Sequence, residues 1–96
     1  MAHIQSVKLD PDPLVVGKSV TLTVTVDDPS AIASVKAYDP RGYELRLKKT
    51  GEGDDAVFTY TDTVPYDATS GVYYGTIVLT DNSGNTERKG IEFRVA

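Results

Sequence analysis

Between Ser19 and Val26 the chain alternates without a fault: Val20, Leu22, Val24 and Val26 are apolar, and Thr21, Thr23 and Thr25 between them are polar. Successive side chains of an extended strand point to opposite faces, so this stretch offers one face to a core and one to water, a sorting that no helix can make of it. The same period of two returns at Val35 and Ala37, at Tyr43, Leu45 and Leu47, and at Phe58 and Tyr60. It returns again at Tyr73, Gly75, Ile77 and Leu79, and at Ile91, Phe93 and Val95. Turn formers separate the runs, among them Asp10-Pro11-Asp12-Pro13, Asp27-Asp28-Pro29-Ser30, Asp39-Pro40-Arg41-Gly42 and Thr50-Gly51-Glu52-Gly53-Asp54-Asp55. Each cluster supplies residues that bend the chain or cannot continue a ladder.

Short strands recurring roughly every ten residues between turn signals predict an all-β sandwich. Seven antiparallel strands are expected: A over residues 4–9, B over 19–26, C over 32–38, C′ over 43–48, E over 56–64, F over 72–80 and G over 89–95. Their alternation leaves one face of each strand polar, as two sheets covering one core require, with A-B-E packed on C′-C-F-G. Val24, Val35, Phe58, Ile77 and Phe93 sit in phase for that core. Pro11 and Pro13 cannot donate to a ladder, so strand A is expected to be a kinked edge strand that continues past them at Leu14.

A chain of 96 residues builds one core, and residues 1–96 are read as a single domain. The absence of cysteine removes disulfides, thiol catalysis and thiolate metal sites together. A net charge of −4 with scattered Lys and Arg disfavours nucleic acid and anionic membranes, whose affinity comes from clustered cations. No apolar run approaches the ~20 residues of a spanning helix. Met1-Ala2-His3-Ile4 lacks the layout of a signal peptide, so the chain as given is expected to be soluble, with no membrane insertion.

The stretch from Gly71-Val72-Tyr73-Tyr74-Gly75 through Asp81-Asn82-Ser83-Gly84-Asn85-Thr86 resembles the closing hairpin of bacterial and archaeal surface immunoglobulin-like and fibronectin-III-like domains. Val16-Gly17-Lys18-Ser19-Val20-Thr21-Leu22 and Ile32-Ala33-Ser34-Val35 resemble the matching first half. The resemblance implies a seven-stranded immunoglobulin-like sandwich cut from a larger secreted or cell-surface protein. In such a parent it would be a spacer, a stalk segment or an accessory domain, extracellular, with neighbouring domains of the same chain as its partners. Antibody-type domains match poorly, since the inter-sheet cysteine pair and the strand C tryptophan are both absent.

Catalysis finds no foothold in the sequence. His3 is the one histidine and lies at the terminus, so no general base is available to any serine, and the chain is not expected to be an enzyme. Thr50-Gly51-Glu52-Gly53-Asp54-Asp55 lacks the following helix that a phosphate loop needs. Tyr73, near the start of strand F, is read as core filling, although such a tyrosine also commonly ties its hydroxyl to nearby backbone.

Two classes of function remain. The preferred one is a structural module with no cofactor. The alternative is a ligand-binding module for carbohydrate or a protein partner, using Tyr38, Tyr74 and Arg46 on the outer face of the C′-C-F-G sheet, with Lys36, Glu44, Lys48, Glu92 and Arg94 around them. Tracing the connections places the B–C, C′–E and F–G loops at one pole. Asp27, Asp28, Asp54, Asp55, Asp81 and Asn85 would gather there, and oxygen-rich side chains on turns suit calcium. Asp and Asn also occupy turns for backbone reasons, and that explanation is preferred for these six.

Overall fold

The period-two runs become strands, the one over 43–48 only in part, and two four-stranded sheets face each other in the computed structural model, which describes residues 2–96. The strands are β1 (Ile4–Asp10), β2 (Ser19–Val26), β3 (Ile32–Tyr38), β4 (Glu44–Arg46), β5 (Lys48–Thr50), β6 (Val57–Thr63), β7 (Gly71–Asp81) and β8 (Thr86–Val95). One sheet runs β1-β2-β6-β5 and the other β4-β3-β7-β8, with antiparallel neighbours throughout. The all-β sandwich expected from the alternation is therefore present, and β2 and β3 have the expected bounds.

Its centre is apolar side chains meeting across the gap. Leu22, Val24 and Val26 of β2 and Phe58 of β6 pack against Val35 and Ala37 of β3 and Ile77 and Leu79 of β7. Each side chain of this size withdrawn from water contributes about 1.5–3 kcal/mol. A second cluster of Leu14, Val64 and Val95 closes the pole where the β6–β7 connection lies, with Tyr73 and Phe93 against it.

Three expectations need correction. The run over 43–48 is not one strand. At Leu47, which is buried and donates its N–H to the Val35 carbonyl at 3.0 Å, the chain leaves the β3 sheet, and Lys48–Thr50 pairs instead with β6. This crossing closes one side of the sandwich with covalent chain. It raises the strand count from seven to eight and gives the expected A-B-E sheet a fourth strand. Tyr43, expected in phase with Leu45 and Leu47, is 61% exposed, its ring lying under the Arg41 guanidinium at 4.9 Å.

The second correction concerns the chain after Pro13. Leu14 does not extend β1. It pairs in parallel with Val95 of the other sheet, donating to the Arg94 carbonyl and accepting from the Ala96 N–H, both at 2.8 Å. The prolines end one pairing and let the chain take up another.

The third concerns Phe93, which is only partly buried. It lies on an edge strand, where one side of the ring has no further strand to cover it. Its ring stacks on Tyr73, with centroids 5.8 Å apart and planes at 17°. Tyr73 combines both roles considered for it, because its hydroxyl donates to the Thr69 carbonyl while its ring packs.

Two hairpins share one turn design. In Asp39-Pro40-Arg41-Gly42-Tyr43, Asp39 Oδ1 accepts the N–H groups of Arg41 and Tyr43, and the Asp39 carbonyl accepts Gly42 N–H. In Asp81-Asn82-Ser83-Gly84-Asn85, Asp81 Oδ1 accepts the N–H groups of Ser83 and Asn85, and its carbonyl accepts Gly84 N–H. Gly42 and Gly84 take φ of +86° and +87°, the left-handed position that closes such a loop and that a Cβ would strain.

Ile77 is fully buried at the sheet interface, whereas Phe93 is not. In urea denaturation, Ile77→Ala is expected to cost about 2–5 kcal/mol. Phe93→Ala should cost about 1–2 kcal/mol, in proportion to the smaller area it withdraws from water. Equal losses would contradict this placement of the core.

Candidate functional site

Strand parity decides the outer face of the β4-β3-β7-β8 sheet. With Val35, Ala37, Ile77 and Leu79 turned inward, Lys36, Tyr38, Tyr74, Thr76 and Val78 must turn outward. Tyr38 pairs with Thr76 across the ladder, and Tyr74 lies two residues further along β7, so the two tyrosines are diagonal neighbours on one face. Tyr74 is 66% exposed, while the Tyr38 hydroxyl donates to Glu44 Oε1 at 3.1 Å.

Arg46 belongs to the adjoining row, where pairing aligns Arg46, Lys36, Val78 and Arg88 across all four strands. Val78 is buried despite facing outward, flanked by the long stems of Lys36 and Arg88. The Tyr38 hydroxyl, together with the Lys36 ammonium 3.5 Å away, holds the Glu44 carboxyl below its ordinary value. The structure thus gathers Tyr38, Tyr74 and Arg46 on one face, with Lys36, Glu44, Glu92 and Arg94. Lys48, expected among them, lies in β5 of the opposite sheet, because the chain has already crossed at Leu47.

The acidic loops do converge on one pole. The single-turn 3-10 segment Pro29–Ala31 lies against its counterpart Gly53–Asp55. Asn82 donates its N–H to the Ala31 carbonyl at 2.8 Å and its side-chain amide to the Ser30 carbonyl at 3.2 Å.

Their carboxylates do not meet. Asp27 Oδ1 accepts the His3 N–H at 2.6 Å, Asp28 Oδ1 accepts the Ser30 hydroxyl at 2.9 Å, and Asp54 and Asp55 are exposed. Asp81 is held by its own turn, and the Asn85 side-chain amide donates to Asp81 Oδ2 at 3.4 Å. Among the described residues, no three His, Cys, Asp or Glu side chains form a group able to hold a metal ion. Asp39 does the same work in the other hairpin, where no cation was expected, so the backbone role accounts for Asp81 and Asn85.

One contact was not foreseen. Glu87 reaches the terminal segment, its Oε2 lying 2.9 Å from His3 Nδ1 and its Oε1 accepting the Ile4 N–H at 3.3 Å. The one imidazole is thereby engaged with a carboxylate on the surface, away from any serine hydroxyl in the hydrogen bonds described. The sequence signal for this contact was a charged residue in the inward phase of β8, beside the pole.

At the opposite pole a cleft of about 480 Å³ opens between the sheets, lined by Leu14, Val20, Leu22, Tyr60 and Phe93. Two of the charged groups lining it, Asp39 and Arg41, are occupied with each other. Asp39 binds the turn and lies 3.6 Å from the Arg41 guanidinium, and Arg41 covers Tyr43.

Burial by itself would raise the Asp81 carboxyl. The N–H groups of Asn85 and Ser83 and the Asn85 side chain outweigh it and hold the group below the ordinary carboxylate range. A group depressed on folding adds stability above its unfolded value, ~3.9, and loses it as pH falls through the lower folded value. Urea midpoints for the protein should therefore fall between pH 5 and about pH 2 more steeply than those of Asp81→Asn. Parallel profiles would contradict the turn's role. Because the other carboxylates stay apart, thermal melts in millimolar calcium and in chelator are expected to coincide; a rise in Tm with calcium would show a site.

No family model matches the sequence, and no curated protein matches it. Among solved structures the chain is similar to CopC from Methylosinus trichosporium OB3b, with 19% identity, 97% of this chain and 93% of that chain covered, and a TM-score of 0.42.

Proposed function

We propose that this chain is a non-catalytic structural module of the surface immunoglobulin-like kind, spacing its neighbours along a larger extracellular protein. The observation that carries this reading is the placement of the ends. His3 lies at the pole of the β2–β3 and β7–β8 connections, and Ala96 lies beside Leu14 at the opposite pole of a body measuring 40 × 23 × 17 Å. A chain passing through such a module enters at one end of its long axis and leaves at the other. Tension along that axis slides the Leu14 segment against β8 in shear, so the two hydrogen bonds there are loaded together and not one after another.

A second reading, ligand binding for a carbohydrate or protein partner, is favoured by one observation. Tyr74 stands open on the face it shares with Tyr38, in the row of Glu92, with the row formed by Arg46, Lys36 and Arg88 two rows away.

Force spectroscopy on a tandem array of the domain separates the two. Abrupt ruptures are expected, each lengthening the chain by roughly 280 Å, from ~3.4 Å per extended residue less the folded length. Leu14→Pro, which removes the donor to Arg94, should lower the rupture force. Gradual extension without peaks would overturn the spacer reading. Glycan-array or protein binding that is lost in both Tyr74→Ala and Arg46→Ala would establish the second.

A further inference from the structure

Four strands form the edges of the two sheets: β1 and β5 in one, β4 and β8 in the other. β4 and β5 are three residues each, joined through Leu47, and offer little to pair with. β1 has a register irregularity between Ile4 and Ser6 and ends at Pro11, features that spoil an edge for strangers. β8 has neither. It is ten residues long, regular in register against β7, and covered by Leu14 only at its end.

The bonds to Leu14 fix which backbone groups β8 turns outward. The Arg94 carbonyl and the Ala96 N–H point away from β7. By the period of two, so do the N–H and C=O groups of Arg88, Gly90 and Glu92. Among the described residues, these six groups have no backbone partner on that side. A groove of about 560 Å³ separates β8 from β1 and leaves the edge accessible.

Gly90 is unexplained inside the chain. A Cβ built there would meet nothing within 4 Å, and its φ is not in the left-handed region. Glycine within a strand marks, among other things, a place where another backbone comes close. Arg88 and Glu92 flank it at equal distance, on the same face, and neither has an ion-pair partner among the described residues.

We propose that two copies of this chain pair through β8, antiparallel about a two-fold axis at Gly90, merging their β4-β3-β7-β8 sheets into one continuous sheet. The charges choose the register. With the axis at Gly90, Arg88 faces the partner's Glu92 and Glu92 faces the partner's Arg88, while the backbone groups of residues 88, 90 and 92 bond in three reciprocal pairs. A register slipped so that the axis falls at Lys89 sets Lys89 against Lys89. A slip to Ile91 sets Arg88 against Arg94, and further slips centre on Arg88 or Glu92 and oppose like charges. Like charges directly opposite each other destabilise a strand pair, so the pattern excludes its neighbours as well as favouring one arrangement. The inward-phase Lys89, which would otherwise protect the edge, here removes the nearest wrong register. The pairing does not depend on the spacer reading and stands or falls separately from it.

Sedimentation equilibrium from micromolar to millimolar chain concentration tests the proposal. The wild type is expected to show a concentration-dependent dimer. Arg88→Glu alone sets Glu against Glu92, Glu92→Arg alone sets Arg against Arg88, and each should weaken self-association at least ~tenfold. An equimolar mixture of these two variants restores both opposite-charge contacts and should form the mixed dimer. The double variant Arg88→Glu/Glu92→Arg should recover self-association. Both changes lie on exposed side chains, and unchanged circular dichroism melts would show that the fold is intact. A wild type that stays monomeric to millimolar concentration, or Arg88→Glu chains that dimerise as tightly as wild type, would overturn the proposal.

Discussion

Everything else in this molecule depends on the contact between two inner sheet faces. There is no disulfide to hold them. The sandwich rests on Val24, Leu22 and Phe58 meeting Val35, Ile77 and Leu79, and this contact also fixes strand register, since a slip of one residue would send a whole apolar set into water. Once β2 and β3 are in register, the parity of every neighbour follows, and so does the membership of the outer face.

The two Asp-x-x-Gly hairpins show how an acidic residue serves the backbone of a reversal. A carboxylate at the first position takes two N–H groups from the turn, and glycine at the fourth takes the left-handed backbone. The design appears once at each pole, at Asp39 and at Asp81. Asp27 and Glu87 instead hold the terminal segment, both at His3.

The sides of the sandwich are managed differently from one another. On one side the chain itself crosses between sheets at Leu47, and backbone that would have been an edge becomes a corner. On the other, Leu14 covers only the last residues of β8, and the rest of that strand keeps a row of outward hydrogen-bonding groups. Partial cover explains why Phe93 is not as buried as its phase implies, while the charged pattern around Gly90 faces solvent because residues 88, 90 and 92 lie on the outer face.

Much of this was legible in the residues. The strand character, the bounds of β2 and β3, the inward set at Val24, Val35, Phe58 and Ile77, and the shared face of Tyr38 and Tyr74 all follow from alternation, which is local and has a fixed period. The gathering of the acidic loops at one pole follows from alternating connections in an antiparallel chain. The break at Leu47, the pairing of Leu14 with Val95 and the loss of Lys48 from the outer face could not be read this way. A strand that crosses between sheets keeps the same apolar spacing as one that continues, because both destinations bury the same side chains. Nor could spacing tell which backbone or side-chain group each of the six acidic and amide residues in these three loops engages. That depends on which N–H groups lie within reach of each oxygen, and only the folded arrangement of the loops sets those distances.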